Sequence, residues 1–212
     1  MHLARDVPRN VVAARVHAHE WRRVARGVYV PTDGPSSARA DALATSLPPL
    51  AGLVIVDAAL RAGLDRAELD ARAAAASGRR GSVRGLSVLG VADGGSESAW
   101  ESACRFTLVR AGLPIPHTQV PVRTRLGTFW ADMGWPEWKV LLEYDGRTKY
   151  AGRQDEEFMR EKRRHDAVVE EGWRLLRVTR DDVRHPASLI RRVAAALPSS
   201  ATTTLRARRE LG

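Results

Sequence analysis

Asp132, Glu143 and Asp145 fall within ADMGWPEWKVLLEYDGRTKY, a stretch whose apolar runs are strand-like. Glu143 and Asp145 are two residues apart, so on a strand both point to one face while Tyr144 points to the other. A carboxylate at the end of an otherwise apolar VLL run needs a partner, because burying an unpaired charge is costly. A divalent cation shared with Asp132 would be such a partner. Hard oxygen ligands suit Mg²⁺ or Mn²⁺, and such an ion activates water and stabilises the charge that develops on an attacked phosphodiester. The competing account is structural neutralisation by arginine, for which the chain has ample supply.

Of the 34 Lys+Arg only Lys139, Lys149 and Lys162 are lysine, and all three fall in the same half as these acids. Arginine would serve as charge anywhere, so lysine kept against an arginine-rich composition hints at a specific role. In EKRRHD, Arg164 has two readings, pairing with Asp145 or meeting a phosphate. Glu161 and Asp166 read equally well as helix-surface ion pairs. Trp135 and Trp173 read as core packing, His165 and His117 as solvated side chains, and the single Cys104 as a packed free thiol.

The length of 212 residues, with 44% hydrophobic and 28% charged residues, fits a soluble chain of one or two domains and excludes a disordered or disulfide-built one. The net charge of +9 invites an anionic partner, although arginine-rich composition accounts for part of it. No apolar run is long enough to span a membrane and no secretory h-region opens the chain, so the expectation is a cytoplasmic protein with no membrane partner.

The glycine-rich breaks SGRRGSVRG and ADGGS place a domain boundary near residue 92. The expected division is a helical N-terminal region over 1–91, a second domain over 92–198 and a frayed tail over 199–212. In the first, helices are predicted over 9–20, 37–47, 51–62 and 66–76, the last capped by Asp65. Two short strands turn at Arg26-Gly27 within 21–30, and a short strand lies between the two breaks. In the second, a helix over 96–111 has Ser96 as N-cap, Gly112 as its stop and Ala99, Ala103, Phe106 and Val109 on its apolar side. Three strands follow in QVPVRT, GTFWADMGWP and WKVLLEYDG, then a helix over 155–171 ending at Gly172, a strand in WRLLRVT and a helix over 186–197. The order is αβββαβα, in a mixed α/β class, with the nearly all-apolar third strand central.

The assembled set E…D…ExDG…EKxRxD…GWxxLRVT resembles the restriction-endonuclease-like PD-(D/E)XK superfamily, in particular its branch similar to very-short-patch-repair (Vsr-like) endonucleases. The resemblance covers roughly residues 95 to 197. It implies the αβββαβ core of that superfamily, hydrolysis of nucleic acid, and metal ligation by Asp132 and Glu143. It also implies a third acid from the first helix, Glu101 rather than Glu97. These two share a helix face, so their spacing alone separates them poorly. Asp145 stands where the superfamily carries its lysine, and Lys149 or Lys162 is then the surrogate.

At the N-terminus, RVHAHEWRRVARGVYVP is similar to the winged-helix region that opens AbiEi-type antitoxin proteins, over about residues 1 to 32. A helix-turn-helix needs a partner helix, for which there is little room before Val11. Arg22, Arg23 and Arg26 are then sequence-independent phosphate contacts, and Arg147 and Arg164 join them in the second domain. The resulting expectation is a Mg²⁺- or Mn²⁺-dependent DNA endonuclease, with Glu101, Asp132, Glu143, Asp145, Lys149 and Lys162 as its catalytic set. No small-molecule ligand is expected, and a homodimer is one option. The alternative is an antitoxin-type DNA-binding regulator whose nuclease fold no longer cuts.

Overall fold

The computed structural model describes residues 2–3, 9–18, 21–25, 28–31, 47–75, 78, 82–145, 155–203 and 205–212. The chain divides into two compact units, Met1–Ser102 with Arg209–Gly212, and Ala103–Arg208. The division falls some ten residues beyond the glycine-rich break that marks it in the sequence, inside a helix.

In the first unit, β1 (His2–Leu3), α1 (Arg9–His17), β2 (Trp21–Ala25) and β3 (Val28–Pro31) give a helix followed by an antiparallel hairpin, in a sheet ordered β1-β3-β2. The predicted helix over 37–47, apart from its last residue, and Arg26 lie outside the described residues. Next come α2 (Pro49–Arg61), α3 (Arg66–Ala75) and α4 (Ser82–Leu89). Asp65 Oδ1 accepts the Ala67 N–H at 2.8 Å, the cap expected for α3. The guanidinium of Arg66 donates to the carbonyls of Ala92 (2.9 Å) and Leu89 (3.1 Å), closing the exit of α4. The predicted strand between the glycine-rich breaks is therefore a helix. Its buried positions Ser82, Gly85, Val88 and Leu89 recur every three to four residues, a period a strand cannot use. The tail is not frayed: a 3₁₀ turn, Arg209–Leu211, packs beside α4, and Leu211 is 1% exposed.

The helix α5 (Ala99–Arg110) begins three residues after the predicted start. The Ser98 hydroxyl, rather than Ser96, accepts the Glu101 N–H at 3.2 Å. The helix stops as predicted at Gly112, whose φ of +92° only glycine adopts at ease, and a Cβ there would collide with the Arg206 carbonyl.

The second unit is built on a four-stranded sheet, β4 (His117–Thr124), β5 (Gly127–Trp135), β6 (Val140–Asp145) and β7 (Arg174–Thr179), in that spatial order. Neighbours β4/β5 and β5/β6 are antiparallel, while β6/β7 is parallel and connected through α6 (Asp155–Glu170). The short α7 (Arg180–Arg184), then α8 (Pro186–Ala194) and α9 (Ser199–Thr202) complete it. The order αβββαβα holds, with the short α7 and α9 added on either side of its last helix. The apolar run of β6 is buried from Val140 to Leu142 and is internal to the sheet, as its composition requires.

One side of the sheet packs Met133, Trp135, Val140, Leu142 and Val178 against Cys104 and Leu108 of α5 and Leu189 and Val193 of α8. The other packs Val120, Ala131 and Leu141 against Val168 of α6, with Phe129, Trp173 and Leu175 half-buried around them. Cys104 and Trp135 are core residues, the indole N–H of Trp135 donating to the Pro114 carbonyl at 3.2 Å.

Candidate functional site

The two clusters show that side-chain alternation changes phase in β5. Phe129 and Ala131 pack on the α6 side, whereas Met133 and Trp135, at the same parity, pack on the α5 side. On the partner strand, Gln119 lies between the pairs Thr118↔Met133 and Val120↔Ala131 and has a left-handed φ of +49°. The distortion falls opposite Asp132.

The β5/β6 ladder runs Trp135↔Val140, Gly134↔Leu141, Met133↔Leu142. One step further along the same register brings Asp132 opposite Glu143, and directly opposed residues share a face. Asp132 Oδ2 accepts the Tyr144 N–H at 2.6 Å, which fixes the carboxylate beside the end of β6. In the parallel ladder Glu143 is the partner of Arg177, so acid, acid and guanidinium stand in a row across β5, β6 and β7.

From above, α6 contributes Glu161 and Arg164, one turn apart on one helix face. Arg164 Nη2 donates to Glu143 Oε1 at 2.5 Å and to the Trp130 carbonyl at 3.2 Å. Its guanidinium carbon lies 5.4 Å from the centre of the Phe129 ring. Arg177 Nη2 lies 2.6 Å from Glu161 Oε1. Acids and guanidiniums therefore alternate across the gap between sheet and helix. Burial pushes the Glu143 carboxyl above the usual carboxylate range; Arg164 opposes that rise and the nearby Asp132 charge adds to it.

These groups line a cleft of about 720 Å³, completed by Asp145, Arg160, Arg163 and the half-exposed Trp130. Of the residues singled out in the sequence, the fold brings together Asp132, Glu143, Asp145, Glu161 and Arg164. Arg164 pairs with Glu143 rather than Asp145. Glu101 belongs to the first unit, and its carboxylate closes the first turn of its own helix, accepting the Glu97 N–H and the Ser98 hydroxyl, each at 2.7 Å. The sequence signal for this role is the capping spacing of Ser98 and Glu101. Lys162 is exposed and does not line the cleft; Arg147 and Lys149 lie outside the described residues. Lys139 donates to the Glu171 carbonyl at 2.9 Å, beyond the opposite end of β6. Arg22 and Arg23 lie on β2. Among the described residues, no three His, Cys, Asp or Glu side chains form a ready-made metal cage.

Sequence reasoning passed over Trp130, Arg160, Arg163 and Arg177. Trp130 stands two residues before Asp132, and Arg160 and Arg163 flank Glu161; proximity to the predicted acids was the available signal.

No family model and no solved structure matches the chain significantly. Two curated relatives from Mycobacterium tuberculosis match it: the uncharacterized proteins MT2308 of strain CDC 1551 / Oshkosh and Rv2248 of strain ATCC 25618 / H37Rv. Each is 37% identical over 145 residues, covering 67% of this chain and 53% of the relative. The matched region thus spans about half the length of either protein. Among the described residues, no helix is long and apolar enough to cross a membrane.

Proposed function

We propose that the second unit is a restriction-endonuclease-like domain of the Vsr-like branch whose cleft hydrolyses phosphodiester bonds in DNA with Mg²⁺ or Mn²⁺. The observation that supports this most is the convergence of Asp132, from within β5, and Glu143, near the end of β6, on one cleft walled by arginines. The donor set fits the ion: two hard carboxylates side by side are what Mg²⁺ takes from a protein when water and a substrate phosphate complete its shell. When bound there, the ion would lower the pKa of attacking water and offset charge on the phosphate. Asp132 is held ready by the Tyr144 N–H, Glu143 supplies the second carboxylate, and Arg160 and Arg163 face the cleft as phosphate contacts.

The N-terminal helix and hairpin, read as an antitoxin-type winged-helix element, would add Arg22, Arg23 and Arg26 as sequence-blind contacts to the DNA backbone. The test is nicking of supercoiled plasmid. Wild-type protein cuts in Mg²⁺ and stops in EDTA, and Glu143→Ala is inactive while its melting curve shows a folded protein. Undiminished cutting by Glu143→Ala contradicts the assignment.

One observation favours a second reading, a DNA-binding regulator that does not cut: no lysine lines the cleft among the described residues, and Arg164 already holds Glu143. Gel shifts with DNA in EDTA, together with no cleavage and no heat of Mn²⁺ binding, would select it.

A further inference from the structure

Arg164 and Arg177 are both ion-paired across the cleft, but their partners differ in kind. Arg177 is paired with Glu161, an acid outside the opposed pair on β5 and β6. Arg164 is paired with Glu143, one of the two carboxylates assigned to the cation. Resting on that assignment, we propose that Arg164 serves as the internal counter-cation of Glu143 and becomes the guanidinium that grips the substrate phosphate once a divalent cation takes that carboxylate. It would thereby replace the lysine that Asp145 displaces.

Three features support the exchange. Arg164 holds Glu143 through a single nitrogen, Nη2, which it shares with the Trp130 carbonyl; among the described residues its Nε and Nη1 donate to nothing. The grip is thus monodentate, and each bidentate fork of the guanidinium, Nε/Nη2 and Nη1/Nη2, keeps one unused nitrogen, so release of Nη2 from Glu143 would open a fork to a phosphate. The Phe129 face beneath the guanidinium makes no hydrogen-bond demand, so the group can turn on the ring without losing that contact. Finally, the described lining is charge-balanced. The carboxylates of Asp132, Glu143, Asp145 and Glu161 are matched by the guanidiniums of Arg160, Arg163, Arg164 and Arg177. A divalent ion would give this lining a surplus of two positive charges and release Arg164 together. Phosphate affinity in the cleft therefore follows cation loading.

The experiment measures Mn²⁺ affinity by calorimetry without DNA, then the affinity of a short duplex oligonucleotide in Ca²⁺ and in EDTA, for wild type, Arg164→Gln and Arg164→Lys. Melting curves confirm that the variants are folded. Removing the competing guanidinium should tighten Mn²⁺ binding several-fold in Arg164→Gln. It should also weaken duplex binding in Ca²⁺ by about tenfold or more, the worth of a lost charge-assisted hydrogen bond. Arg164→Lys should restore the wild-type Mn²⁺ affinity but only part of the duplex affinity. Unchanged or weaker Mn²⁺ binding in Arg164→Gln overturns the proposal while leaving the nuclease assignment standing. A wild-type protein that neither binds Mn²⁺ nor cuts DNA removes both.

Discussion

Asp132 and Glu143 come to one face from adjacent antiparallel strands, and the N–H of Tyr144, the residue after Glu143, donates to Asp132 at 2.6 Å. The backbone of β6 thus orients the acid of β5. Asp132→Asn, which can keep that acceptor, should fold as the wild type does and lose Mn²⁺ affinity. Asp132→Ala should in addition lose about 1 kcal/mol of stability through the unpaired N–H. Calorimetric titration and urea unfolding separate the two effects.

Glu143→Gln removes a carboxylate that burial disfavours and frees the cleft guanidinium. The expected outcome is a melting temperature no lower than that of the wild type at neutral pH, with tighter duplex binding in EDTA and no cleavage in Mg²⁺. A variant that binds duplex more weakly in EDTA would contradict the charge balance drawn for the cleft.

Trp130 is 56% exposed where the cleft opens. Stacking of a base on an aromatic side chain is worth about 1–3 kcal/mol. Trp130→Ala should therefore weaken single-stranded oligonucleotide binding by about tenfold, with little change in the salt slope. Fluorescence titration at two salt concentrations reads both quantities.

The cap of α7 predicts an acid-limb effect. Burial pushes the Asp182 carboxyl up, but hydrogen bonds from the Thr179 N–H and hydroxyl and the charge of Arg192 outweigh it, so it stays below the usual carboxylate range. A depressed carboxyl contributes stability above its unfolded pKa, and that contribution is lost as pH falls through the folded value. Asp182→Asn should flatten the stability loss below about pH 4. Thr179→Ala should lower stability by about 1 kcal/mol near neutral pH.

The main elements of the second unit were legible because α5 and α6 end at glycines that the geometry requires, Gly112 and Gly172, and because the β6 run is apolar on both faces. The helix over Ser82–Leu89 was not, since a short apolar run between glycines fits strand and helix alike until its burial period is seen. Asp132 and Glu143 were legible as residue types, but their opposition depends on strand register and on the phase change at Asp132, which pairing decides. The pairing of Arg164 with Glu143 likewise depends on where α6 crosses the sheet.

The most direct test of the central claim is a double-mutant cycle in single-turnover cleavage of a labelled duplex in Mg²⁺, with wild type, Asp132→Ala, Glu143→Ala and the double variant. Two carboxylates serving one cation act as a unit, so either single variant should lose as much rate as the double. Independent, multiplicative losses, or cleavage that persists in the double variant, would contradict a shared site at Asp132 and Glu143.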